Sequence, residues 1–204
     1  MGLYSRFVFP CLCDFLMKQE FLTPYRRDTL AAARGEILEI GFGTGLNLPH
    51  YPPHVRHLTT IDANAGMQRK ATARIARSQI KVETQVLDCE RLPFPSERFD
   101  CVISTWTLCS IVQVEQALSE VYRVLKPGGQ FLFLEHGLSP EPSIQKWQKR
   151  LNWLEKCLAD GCHLDRNIAA LVQQQPFSAI ELAEFSLDLF PRTHCYMYRG
   201  AATK

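Results

Sequence analysis

The chain is poor in the features that mark nucleic-acid binders and membrane-spanning proteins. Its 204 residues carry a formal net charge of +2 with no run of Lys and Arg, so the basic stripe that neutralises phosphate is missing and no nucleic-acid partner is expected. It has no uninterrupted apolar segment of bilayer length. The stretch from Leu3 through Phe7, Phe9 and Phe15 to Leu22 is broken by Arg6, Pro10, Asp14 and Lys18, well before the roughly 20 uncharged residues that a span requires. No internal repeat, low-complexity linker or signal peptide is evident. Eight cysteines are present, and without paired C-x-x-C motifs they read as reduced thiols of a cytoplasmic protein. Cys157, Cys162 and His163 lack a clear fourth partner, so no metal site is expected.

What the chain does have is an apolar run that breaks into glycines. In Glu36-Ile-Leu-Glu-Ile-Gly-Phe-Gly-Thr-Gly-Leu-Asn-Leu48 a short buried strand gives way to Gly41, Gly43 and Gly45. Without Cβ atoms the backbone there can take positive φ and let a ligand approach the main chain. Asp62 ends a second apolar run, His57-Leu-Thr-Thr-Ile61. An acid about 20 residues past the first glycine is where nucleotide-binding βαβ units read ribose hydroxyls. A nucleoside-containing cofactor follows. The dinucleotide pattern G-x-G-x-x-G would need glycine at 46, and that position is Leu46. Glu39 stands two residues before the first glycine, where a carboxylate suits a cationic ammonium and repels a diphosphate.

Two further blocks accompany this loop: Asp88-Cys-Glu-Arg-Leu-Pro-Phe-Pro-Ser-Glu-Arg-Phe-Asp100, and Leu125-Lys-Pro-Gly-Gly129 before Phe131-Leu-Phe-Leu-Glu135. Singly they mark only loops and turns. Together and in this order, they resemble the class I S-adenosylmethionine-dependent methyltransferases of the ubiquinone-biosynthesis type. Thr105-Trp-Thr-Leu-Cys-Ser110, Glu135-His136 and Asp160-Gly-Cys-His-Leu-Asp-Arg166 narrow the resemblance to the thiol methyltransferase-like branch and its bacterial relatives. The microsomal members of that branch carry a hydrophobic anchor at the N-terminus, which here is replaced by the shorter, charge-broken stretch.

Alternating strand and helix patterns predict an α/β fold, a doubly wound Rossmann-like sheet covered on both faces. Strands are expected near 36–40, 57–61, 82–87, 100–104, 130–135, 179–186 and 193–199, and helices near 64–77, 113–125, 143–158 and 165–174. Asp62 or Asn64 can start the first helix and Asp165 the last. The resemblance implies seven mostly parallel strands, the final one antiparallel beside the fifth. Residues 36–204 are expected to form one compact unit. Residues 1–35 stand apart, either as helices lying over the cofactor as a lid or, through residues 1–22, as a peripheral membrane contact. Pro24-Tyr25-Arg26 can begin a helix there, with Arg26 free to meet a carboxylate.

The resemblance implies S-adenosyl-L-methionine as cofactor, S-adenosyl-L-homocysteine as product, and a small-molecule methyl acceptor bound by a monomer or homodimer. It places cofactor contacts at Glu39, Gly41, Phe42, Gly43, Gly45 and Asn47. Others fall at Asp62 on the ribose, with neighbouring Ala63, and at Met67 on the adenine face. Asp88 would take the adenine amine, with Cys89 and Glu90 beside it, and Thr105 and Trp106 would wall the methyl group. Methyl transfer needs alignment and, for a thiol or hydroxyl acceptor, a base. His136, at the carboxyl end of a parallel strand, is the first candidate base. His163 and Cys162 either position a substrate or organise a turn, and Cys109 reads as a small core residue or a nucleophile. Three classes stay open: a methyltransferase acting on a thiol, lipid head group or quinol-like ring, a nicotinamide-dependent oxidoreductase, and a catalytically silent cofactor-binding interaction protein.

Overall fold

The computed structural model describes residues 2–189 and 191–204. Ile37–Ile40 (β1) is buried at every position, as expected of a strand covered on both faces of a parallel sheet. His57–Asp62 (β2), Phe99–Thr105 (β4) and Leu125–His136 (β5) share that apolar character, whereas Lys81–Val86 (β3) lies at an edge with partly exposed residues. With Ala179–Ser186 (β6) and Tyr196–Thr203 (β7), the seven strands run in the order β3-β2-β1-β4-β5-β7-β6. The first five are parallel. β7 is antiparallel to both of its neighbours, beside the fifth strand as the resemblance implied.

Helices cover the two faces and divide the core. Val114–Val124 (α4) buries Val114, Ala117, Leu118, Val121 and Val124, a spacing of three and four residues that lays one apolar stripe on the sheet. They pack with Phe99, Phe131, Phe133 and, from Ile168–Gln173 (α6), Ile168 and Val172. On the opposite face Ala71 of Ala65–Arg77 (α3) joins Ile37, Leu58, Ile103, Leu132 and Leu30. Leu30 closes a short N-terminal helix, Thr23–Leu30. Pro142–Leu158 forms one long helix with Trp147 and Trp153 exposed.

Two expectations need correction. The last strand is Tyr196–Thr203, and residues 192–194, expected near its start, form a 3-10 turn. β5 needs a partner as far as Gln130, which faces Thr203, and the weak strand signal of Gly200-Ala-Ala reflects the bulk of Phe133 above it. The last helix starts at Ile168, capped by Asn167 accepting from the Ala170 amide at 3.0 Å, and not by Asp165. Asp165 accepts from Asn152 Nδ2 at 2.8 Å. Nearby, the Leu138 amide donates to the Arg166 carbonyl and the His163 amide to the Cys109 carbonyl, which stretches this segment across the sheet ends and out of helical geometry.

The N-terminal residues lie over the carboxyl ends of the strands. A π-helical turn, Tyr4–Val8, runs directly into Phe9–Met17; in chain order this helix is α1, Thr23–Leu30 is α2 and Pro142–Leu158 is α5. Asp14 of α1 accepts from Thr44 in the glycine loop and from Arg74 of α3, each at 2.6 Å. Asn64 donates to the Ser5 carbonyl at 2.9 Å, and the Tyr4 hydroxyl to the Leu158 carbonyl at 2.7 Å. Leu3, Phe7, Val8, Phe15 and Leu16 face outward and are exposed. Among the described residues no helix is long and apolar enough to cross a membrane.

Gly200 is where β7 is most sensitive. A Cβ there would lie 2.5 Å from the Glu181 carbonyl oxygen and 2.6 Å from the Phe133 ring. Gly200→Ala should therefore push β6 and β7 apart and cost about 1–3 kcal/mol, as overpacking does. Urea unfolding checks this, and an unchanged midpoint would refute it.

Candidate active site

The strand order reverses between β1 and β4, and in open α/β sheets ligands bind in the crevice at that switch point, beyond the carboxyl ends of the strands. The glycine loop lies there. Gly41, Gly43 and Gly45 have φ of +66°, +58° and +79°, so all three sit in the left-handed region that side chains resist. Their surroundings differ. At Gly41 a Cβ would overlap the Thr107 side chain, whereas at Gly43 the nearest atom is the Gly41 carbonyl oxygen, 3.8 Å away. Gly41 is thus required by packing, and Gly43 faces open space.

Asp62 links this loop to α3. Its carboxylate accepts from the amides of Gly43 and Asn64, each at 2.8 Å, and burial raises its pKa against those two stabilising bonds. Asn64 caps α3 by accepting from the Gly66 amide at 2.8 Å. Met67 is buried one turn later, and Ala63 is exposed. Beyond β3, Asp88 is exposed and accepts from the Glu90 amide at 2.9 Å, while Glu90 accepts from the Gln113 amide at 2.7 Å. Cys89 between them is buried, and burial pushes its thiol up to about 12. Phe42 turns its ring into the core, leaving only its backbone at the loop.

Glu39 is 1% exposed. Its two oxygens accept from Asn47 Nδ2 and the Tyr51 hydroxyl, each at 2.7 Å. Burial raises its pKa to about 7, with those two donors pulling the other way. Asn47 also donates to Thr105 Oγ1 at 3.0 Å and accepts from Arg26 Nη1 at 2.8 Å. The Arg26 guanidinium donates to the Met17 carbonyl at 3.0 Å and lies 4.4 Å from the centre of the Trp106 ring. Arg26 therefore meets an amide oxygen, with the Glu39 carboxylate one residue behind it.

Trp106 is held in an uncommon backbone state, φ +50°. Its amide donates to the Leu134 carbonyl at 2.8 Å. Glu135, wholly buried, anchors the chain around Trp106 by accepting from Ser104 Oγ, two residues before it, at 2.7 Å and from the Thr107 amide, the residue after it, at 2.9 Å. Burial raises the Glu135 pKa to about 8. Strained residues of this kind cluster at functional sites.

The predicted histidines separate. His136 is buried, with Nε2 3.1 Å from Cys162 Sγ and Nδ1 without a hydrogen-bond partner among the described residues. Cys109 joins the pair, and the three donor atoms lie within 4.8 Å of one another. Hydrogen bonding from Cys162, then the nearby His136, draws the Cys109 thiol well below its ordinary pKa despite burial, and Cys162 is pushed up as the thiol that keeps its proton. His163 points away: its Nδ1 is 3.8 Å from Asp165, and burial lowers its pKa. Cys157 is exposed on α5, so the grouping of Cys157, Cys162 and His163 does not converge. Tyr51, Glu135 and the Cys109–His136–Cys162 cluster were not among the predicted site residues as groups. The one readable signal was an acid inside each of two apolar strand runs, since a buried carboxyl needs donors.

The chain matches the methyltransferase domain family over residues 38–133. It is 34% identical over 188 residues to thiol S-methyltransferase TMT1A of Homo sapiens, covering 88% of this chain and 73% of that protein. It is 34% identical over 156 residues to thiol S-methyltransferase TMT1B of Rattus norvegicus, covering 72% of this chain and 61% of that protein, so it spans less than two thirds of the rat relative. A solved SAM-dependent methyltransferase from Thermotoga maritima superimposes over 98% of this chain and 97% of its own, with TM-score 0.69 and 20% identity.

The Glu39 carboxyl gives a pH test. Its folded pKa of about 7 lies above the ordinary value near 4.3, so folding favours the protonated form. That contribution is complete below about pH 4 and is lost as pH rises through about 7. The wild type should therefore lose stability relative to Glu39→Gln between about pH 5 and pH 8, by an amount on the order of 3 kcal/mol. Parallel unfolding curves at the two pH values would refute it.

Proposed function

This chain belongs to the class I S-adenosylmethionine-dependent methyltransferases, and we propose that its acceptor is a small thiol. The family makes S-adenosylmethionine the cofactor and methyl transfer to a small molecule the reaction, and the nicotinamide alternative falls away. The thiol rests on the two relatives named as thiol S-methyltransferases. The observation that carries the site is the open space at Gly43, bordered by Asp62 and by the Arg26–Asn47–Glu39 chain.

In this reading Gly43 would leave room for the methionine portion of the cofactor, Arg26 would hold its carboxylate, and Glu39 and Asn47 would hold its ammonium. Asp62 turns from the Gly43 amide to the ribose hydroxyls. Met67 packs on the adenine, and Asp88, Cys89 and Glu90 frame its edge. Thr105 and Trp106 wall the methyl group. α1 and α2, pinned through Asp14 and Arg26, act as the lid that excludes water. The acceptor thiol loses its proton to solvent, and the thiolate sulfur attacks the methyl carbon in line with the sulfonium. A carbon–sulfur bond forms to the acceptor, the old one breaks, and its electron pair stays on the cofactor sulfur as S-adenosylhomocysteine. Positioning supplies most of the catalysis. His136 has one nitrogen engaged by Cys162 and the other sealed in the interior, so it suits holding a sulfur atom better than collecting a proton from bulk substrate.

A lipid head group is the second reading, favoured by the exposed Leu3, Phe7, Val8, Phe15 and Leu16, which could rest residues 1–22 on a membrane surface. A screen with labelled S-adenosylmethionine separates the two. Small alkyl and aryl thiols should accept the label, and phosphatidylethanolamine vesicles and quinols should not. Turnover with vesicles alone would replace the thiol by the lipid, and no turnover with any acceptor would leave a silent binding protein.

Gly43→Val tests the cofactor site. Its side chain would fill the open space and, at φ +58°, strain the loop, so binding of S-adenosylhomocysteine should disappear by calorimetry while a thermal transition persists at a lowered midpoint. In the wild type the same ligand should protect residues 10–26 from protease, and in the variant it should not. Unchanged affinity would overturn the placement over Gly43, and unchanged cleavage in the wild type would overturn the lid.

A further inference from the structure

Cys109 follows β4, His136 ends β5, and Cys162 comes from the segment that crosses both strand ends. Three separate parts of the chain thus bring two thiols and an imidazole within 4.8 Å of one another, all buried. Zinc bonds of about 2.3 Å to sulfur and 2.0 Å to nitrogen, at tetrahedral angles, put donor atoms about 3.5–3.8 Å apart. The His136–Cys162 separation of 3.1 Å is a few tenths of an ångström short of that, within side-chain adjustment. At Nε2 the present partner is a thiol, a weak hydrogen-bonding group, and a metal bond there would replace a weak contact by a strong one.

We propose that Cys109, His136 and Cys162 bind a thiophilic divalent cation of the zinc type, with one coordination position open. Among the described residues no fourth His, Cys or carboxylate joins the group. Three protein ligands and an open place is the pattern of zinc sites that take a substrate, whereas structural zinc sites are closed by four. Two thiolates balance the charge of the cation. Cys109 Sγ lies 3.8 Å from the Trp106 carbonyl oxygen, so the cluster adjoins the wall assigned to the methyl group.

The consequence rests on the thiol reading above. A thiol entering the open position is bound as thiolate, because a coordinated thiol gives up its proton, here to solvent. Its sulfur then forms the new bond to the methyl carbon, and the electron pair of the broken bond stays on the cofactor sulfur. The cation is neither oxidised nor reduced.

Cobalt(II) alone is the probe, added to the reduced, chelator-treated full chain. One equivalent should produce the intense visible bands of a tetrahedral thiolate site, and one equivalent of zinc should bleach them. Cys109→Ser, Cys162→Ser and His136→Gln should each lose the bands, with S-adenosylhomocysteine binding confirming that each variant is folded, and Cys157→Ser should keep them. Absence of the bands in the wild type would overturn the site, as would their unchanged survival in any of the three variants. Thiol methylation should fall in the metal-free protein and return with zinc, and an undiminished metal-free rate would overturn the activating role. Bands without any thiol methylation would leave the metal site standing and remove the thiol acceptor.

Discussion

A carboxyl group inside the central strand of a parallel sheet must find donors or remain protonated, and Glu39 organises the cleft by finding them. Asn47 reaches back from beyond the glycine loop, and Tyr51 from the turn after it, to satisfy its two oxygens. The amide that serves Glu39 also grips Thr105 at the end of β4 and receives Arg26 from α2. One buried acid therefore ties together the central strand, the loop, the neighbouring strand and the N-terminal helices. Truncating it would leave one N–H of Asn47 and the Tyr51 hydroxyl without their acceptors, which is costlier than the loss of any one hydrogen bond.

A parallel logic operates one strand away. Glu135 is equally buried and spends its oxygens on Ser104, two residues before Trp106, and on Thr107, the residue after it. The backbone cannot relax Trp106 out of its positive φ without giving up those bonds. The indole is thus held as a fixed plane for Arg26 to stack on, and a stacked guanidinium in a dry setting is worth about 2 kcal/mol or more. The two acids support one stacked pair, Glu39 holding the cation through Asn47 and Glu135 the ring through Thr107.

Much of this was legible in the chain and some was not, for physical reasons. The alternation of apolar runs foretold the sheet because strands buried on both faces read as continuous hydrophobic segments. Gly41, Gly43 and Gly45 foretold a left-handed loop because few residues other than glycine adopt that backbone cheaply. The share of work among them was invisible, since it depends on Thr107, far along the sequence. The end of the sheet was misjudged at Gly200, where a small residue that weakens a strand signal is demanded by Phe133 on the next strand. Asp165 looked like a helix start, yet Asn167 takes that place because bonds from Asn152 to Asp165 and from Leu138 to Arg166 hold those two residues outside the helix. Cys109, His136 and Cys162 were each noticed singly. Their convergence comes from chain crossing over strand ends, which local pattern cannot encode.

The fastening of the N-terminal helix has a consequence in solution. Asp14 holds α1 over the loop through Thr44 and Arg74, with the Asp14 and Arg74 side chains 12% and 30% exposed. A partly solvated ion pair of this kind is worth about 1 kcal/mol or less, close to the thermal energy itself. Because this fastening is ionic, salt should weaken it, whereas the neutral bonds from Asn64 to Ser5 and from Tyr4 to Leu158 should be little affected.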